Sequence, residues 1–130
     1  MANRVIHFEI QADEPARAQA FYEKTFGWKV EQMMSKEKGG MMDYWSLTTG
    51  ANGTPGINGG MYQRTDAPLH TYDCTIEVAD IDAAVEAVKT NGGTITREKG
   101  EIPGVGWFVS ALDTEGNKVG LMQPTEWQAK

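Results

Sequence analysis

A single supersecondary plan is written twice along this chain, and that repeat constrains the fold more than any short motif in it. The segment VIHFEI (5–10) alternates, with Ile6, Phe8 and Ile10 on one face of an expected strand and Val5, His7 and Glu9 on the other. A helix is expected next. Asp13 is placed to cap it, Pro15 suits its first turn, and Gly27 suits a left-handed stop. Three more strands are expected over 28–34, 42–49 and 57–64, separated by the glycine-rich joints KEKGG and GANGTPG. After the linker TDAPLH (65–70), in which His70 reads as a loop histidine, the plan restarts. In DCTIEV (73–78), Cys74, Ile76 and Val78 point one way and Thr75 and Glu77 the other. Asp80 caps a second helix with an apolar stripe of Ile81, Ala84, Val85 and Val88, and Gly92 follows it. Strands over 93–99, 106–113 and 117–123 complete the second copy, with TEGN as a turn.

Residues echo the plan as well: HFEI (7–10) matches TIEV (75–78), and GGMYQ (59–63) matches VGLMQ (119–123). The expected fold is therefore α+β. Two tandem βαβββ modules, spanning residues 1–66 and 70–125, make up a single domain of 130 residues. One helix can cover only one face of a four-stranded sheet, so the other face must meet a second sheet or line a cavity.

Composition removes several function classes. A net charge of -6 with 12 Lys and Arg lacks the basic patch that a phosphate backbone or an anionic membrane demands, and no aromatic platform for single-stranded nucleic acid is interleaved with it. No apolar run approaches the length of a membrane span, and the N-terminus lacks the apolar core of a signal peptide, so a cytoplasmic location is expected. The lone Cys74 forms no intramolecular disulfide, and its place among strand formers suits an inert thiol. There is no nucleophile elbow. The glycines of GINGG and PGVG lack phosphate-loop spacing.

Three stretches, VIHFEIQADEPARAQAFYEKTFGW, TTGANGTPGINGGMY and GVGWFVSALDTEGNKVGLMQP, resemble in that order the vicinal oxygen chelate superfamily. That group includes glyoxalase I, the bleomycin-resistance proteins and extradiol dioxygenases, and the resemblance is greatest to its small single-domain bacterial members. It implies the glyoxalase/bleomycin resistance/dihydroxybiphenyl dioxygenase-like fold, with curved mixed sheets around a cavity, and a homodimer. It also implies, for metal-dependent members, ligands from the first and last strands of each module.

The repeat places those four positions at His7, Thr75, Gly60 and Gly120. Only His7 is a metal-ligand type, and one imidazole does not hold a divalent ion against water. His7, Glu9 and Glu77 share a parity and offer an atypical donor set, but residues two apart on a strand lie about 6.5–7 Å apart and diverge. The bland alternative is a polar network around His7. Glycine at 60 and 120 is expected to leave room, and the wall around it is read as His7, Glu9, Trp45, Asn58, Tyr62, Glu77, Phe108 and Met122. These side chains suit a small, flat or partly apolar ligand; the alternative is packing within the module or a dimer interface. The methionines of MMSKEKGGMMDYW suit a lip for such a pocket or filling of the core. The leading expectation is a small-molecule-binding protein without a cofactor, its cavity lying between the modules. The runner-up is a divalent-metal lyase or dioxygenase using His7 with atypical ligands, and a purely structural dimer is a third.

Overall fold

The structure, a computed structural model, describes residues 3–64 and 72–125; the whole linker 65–70, His70 included, lies outside the described residues. These fall into two compact units, residues 7–64 with Tyr72 and residues 3–6 with 73–125. Each follows the expected βαβββ order. The first holds strand β1 (Val5–Ala12, from His7 on), helix α1 (Pro15–Phe26) and strands β2 (Lys29–Met34), β3 (Tyr44–Thr48) and β4 (Gly59–Gln63), with a 3-10 turn at Lys36–Lys38. The second holds β5 (Tyr72–Glu77, from Asp73 on), α2 (Ile81–Thr90), β6 (Thr94–Ile102), β7 (Gly106–Leu112) and β8 (Lys118–Pro124).

The strand orders are β2-β3-β4-β1 and β5-β8-β7-β6. In each unit the first and last strands pair in parallel and the hairpin strands pair antiparallel. A parallel pair needs a crossover, and the single helix of each unit begins it. No helix among the described residues is long and apolar enough to cross a membrane.

The two helices are anchored differently. In α2, Asp80 accepts from the backbone N–H groups of Asp82 at 3.0 Å and Ala83 at 3.1 Å, which satisfies two of the donors a helix start leaves open. The expected stripe docks: Ala84, Val85 and Val88 pack on a buried cluster of Val78, Ile81, Val109 and Leu121. In α1 the N-cap is Glu14, which makes no side-chain cap bond, and no residue of the helix is fully buried. Asp13, expected as the cap, instead accepts from Arg64 Nε at 2.8 Å. The helix begins at Pro15 behind Glu14, one residue too late for Asp13 to stand at the cap position. The expected stop is present: Gly27 takes φ 73°, and its N–H returns to the Glu23 carbonyl.

Register corrects one reading of the repeat. Gly60 lies between Ser46 and Glu9, and Gly120 lies between Ser110 and Thr75. The counterpart of Thr75 is thus Glu9, and that of His7 is Asp73. Helix starts agree, since the N-caps Glu14 and Asp80 each follow these residues by the same interval. Matching HFEI to TIEV aligned Glu9 with Glu77 on chemical likeness, whereas neighbouring strands fix the pairing.

Candidate functional site

β1 and β3 reach the same patch of the first unit from either side of Gly60. Glu9 and Ser46 are the cross-strand neighbours of this glycine, while Tyr44 pairs with Tyr62 two residues along the same face. Tyr44 leans back over the glycine, where a Cβ would overlap its hydroxyl and lie 2.5 Å from Glu9 Oε2. The Tyr44 hydroxyl donates to Glu9 Oε2 at 2.8 Å. His7 Nε2 lies 3.1 Å from that hydroxyl and 3.3 Å from the same carboxylate oxygen. With its proton on Nε2, His7 donates to the tyrosine oxygen and the triangle is satisfied. The side chains of His7 and Glu9 are 21% and 20% exposed, so the triad is partly open to water.

The expectation that His7 and Glu9 diverge is therefore wrong for this pair. Their Cα atoms stand about 6.5–7 Å apart along β1, but the Tyr44 hydroxyl draws both heads to one point. Room at Gly60 is absent for the same reason, because an aromatic side chain from β3 fills it.

The second unit fills the matching place with carbon. Phe108 pairs with Met122 as Tyr44 pairs with Tyr62, and its ring lies 2.8 Å from where a Gly120 Cβ would stand. Thr75, buried beside it, would lie 3.0 Å from that atom. Asp73, at the position matching His7, is 7% exposed and faces the ammonium of Lys118 at 3.7 Å.

Comparison with known proteins places this architecture. A model of the Glyoxalase/Bleomycin resistance protein/Dioxygenase superfamily matches residues 4–121. The chain belongs to that superfamily. Among curated proteins it finds no match. Solved structures of the same fold include a methylmalonyl-CoA epimerase from Mycobacterium tuberculosis, at 14% identity and a TM-score of 0.67 over 93% of this chain and 87% of the other. A hypothetical protein from Bacillus halodurans C-125 matches at 15% identity and a TM-score of 0.71 over 100% of both chains. A methylmalonyl-CoA epimerase in complex with methylmalonyl-CoA and ammonium matches at 15% and 0.70, again over 100% of both. At such identities the shared property is the fold.

Many members of this superfamily use a divalent metal, and the donor positions here do not fit one. A carboxylate at residue 60 would have to pass through Tyr44, and one at residue 120 would have to displace Phe108. Asp73 already has a cation beside it. Among the described residues, no group of three or more His, Cys, Asp and Glu is placed to hold a metal ion.

The remaining candidate residues separate by face. Tyr62 is on the triad's side of the sheet, and its hydroxyl accepts from Gln11 Nε2 at 2.9 Å. Trp45 is not on that side: it pairs with the fully buried Met61 and shares the parity of the equally buried Leu47, so it belongs to the core face. Asn58 closes the connection before β4, its Oδ1 accepting from the Thr49 N–H at 2.8 Å. Glu77 pairs with the buried Met122, and its backbone bonds to Asn3 and Arg4. Tyr44 is the residue that sequence reasoning missed. The signal was present in YWSL, where Trp45 alternates with Leu47 and Tyr44 with Ser46, which puts the tyrosine on the polar side. Of the methionines in the lip segment, Met33 and Met41 are exposed.

Proposed function

We propose that this superfamily member binds a small molecule without a metal, through the His7–Glu9–Tyr44 triad of its first module. The observation that carries this reading is the partly open triangle of one imidazole, one carboxylate and one phenol over Gly60. Three hydrogen-bonding heads converge on one point where the family's acid would stand, and that point is partly open to water. A ligand suited to it carries a hydroxyl, carbonyl or carboxyl group for the triad and a flat or partly apolar body for the neighbouring Tyr62.

A thermal-shift screen of small aromatic and amphipathic compounds tests the reading. Hits should lose their stabilisation in Tyr44→Phe and Tyr62→Ala and keep it in Trp45→Phe. Hits indifferent to the first two substitutions place the ligand elsewhere. Elemental analysis of protein purified without chelator runs beside it, and a stoichiometric divalent ion would overturn the metal-free reading.

A further inference from the structure

A cavity of about 480 Å³ lies elsewhere in the first module, between α1 and the end of β1. None of the triad residues lines it. Its wall is aromatic: Phe21, Tyr22 and Tyr72 face it, with Ile10 and Ala12 behind. Phe21 meets Tyr22 edge-on with centroids 5.1 Å apart, and Tyr22 stacks on Trp28 at 4.9 Å and 8°. Phe21 and Tyr72 are nonetheless 55% and 58% exposed. Rings held in geometries that favour aromatic contacts thus remain open on the cavity side, where a further ring can join them.

The rim carries charge of both signs. Arg17 pairs with Glu14 at 2.9 Å and Arg64 with Asp13 at 2.8 Å, and all four side chains border the cavity. Arg64 is the less exposed arginine, fixed by Asp13 through Nε and by the Gln11 carbonyl through Nη2 at 3.3 Å. A guanidinium has five N–H donors, so Arg64 keeps others for a carboxylate. A ligand with one charge would satisfy one member of a rim pair and repel the other. A ligand with both signs meets each with its complement. The Tyr22 hydroxyl adds no further charge: burial first, and the Tyr72 hydroxyl at 3.2 Å second, push its pKa up to about 12.

We propose that this cavity binds a small aromatic zwitterion of the amino-acid type. Its ring lies against Phe21, Tyr22 and Tyr72, its carboxylate meets Arg64 or Arg17, and its ammonium meets Asp13 or Glu14. The volume falls in the range of small-molecule pockets, roughly 300–1,000 Å³. The site stands independently of the triad.

Isothermal titration of the full chain with L-phenylalanine and L-tryptophan is the test. At least one should bind saturably. The singly charged 3-phenylpropionate and 2-phenylethylamine should each bind at least about tenfold more weakly, the loss expected for one charge-assisted contact. Phe21→Ala and Arg64→Met should weaken binding by a similar factor with an unchanged circular dichroism spectrum, while Tyr44→Phe leaves it as it was. Absence of saturable binding up to millimolar ligand overturns the proposal, as does equal affinity for the singly charged analogues. Sedimentation velocity on wild type and Phe21→Ala closes the other explanation: self-association that vanishes with Phe21 would make this face an interface between copies and overturn the proposal as well.

Discussion

Module one and module two build the same three-residue row, Ser46–Gly60–Glu9 in one and Ser110–Gly120–Thr75 in the other. What fills the space over the glycine differs by one oxygen atom on an aromatic ring. Tyr44 brings a hydroxyl that gathers Glu9 and His7, whereas the Phe108 ring over Gly120 has no hydroxyl to share with its neighbours. The charged residue matching His7, Asp73, turns to Lys118 instead. One backbone plan thus supplies a hydrogen-bonding point in one copy and an apolar wall in the other. The glycines are not vacated ligand positions left open; they are what lets an aromatic side chain cross the strand.

The comparison breaks most readily at the ion pair of module two. Lys118→Met removes the ammonium that faces the buried Asp73, and a loss of about 2–3 kcal/mol in urea denaturation is expected, below that of a fully buried pair because Lys118 is itself a quarter exposed. A loss near zero would mean that Asp73 is not held by this cation. Next in size is Gly60→Ala, expected to cost about 2 kcal/mol because Tyr44 must give way and release Glu9, against about 1 kcal/mol for Gly120→Ala, where the Phe108 ring shifts and Thr75 yields slightly. Tyr44→Ala should absorb most of the Gly60→Ala penalty in a double-mutant cycle; additive costs would show that the tyrosine is not the obstacle. The helices sharpen the contrast further. Asp80→Ala should cost about 1 kcal/mol and Glu14→Ala under about 0.5 kcal/mol, since only the first removes cap bonds. The smallest effect concerns pH. A tyrosine whose folded pKa is raised favours folding below its ordinary value near 10, and this contribution is lost as pH climbs through about 12. Tyr22→Phe should therefore flatten the fall in stability between those values in an alkaline titration, and an unchanged slope would remove the Tyr22–Tyr72 pair as its source.

The order of elements, the α2 cap, the apolar stripe and the left-handed stop at Gly27 were all legible, because each rests on a local rule: period, cap chemistry or a positive φ. The site was legible only in part. His7, Glu9 and Tyr62 do share one face of the sheet, whereas Trp45, read into the same wall from a middle strand, lies on the core face. The β2–β3 pair carries a register shift between Gln32 and Met34, but alternation with Leu47 already decided Trp45.

What this sequence determined by itself was the twofold βαβββ plan and the two faces of each strand, since backbone periodicity needs no distant partner. Tertiary structure decided the pairings across strands: that Gly60 lies beside Glu9 rather than His7, that Asp13 serves Arg64 rather than α1, and that Tyr44 rather than a ligand-sized space stands over Gly60. Those outcomes depend on which side chains meet across 35 to 51 positions of chain, as in Tyr44 with Glu9 and Arg64 with Asp13, and no local rule reaches that far.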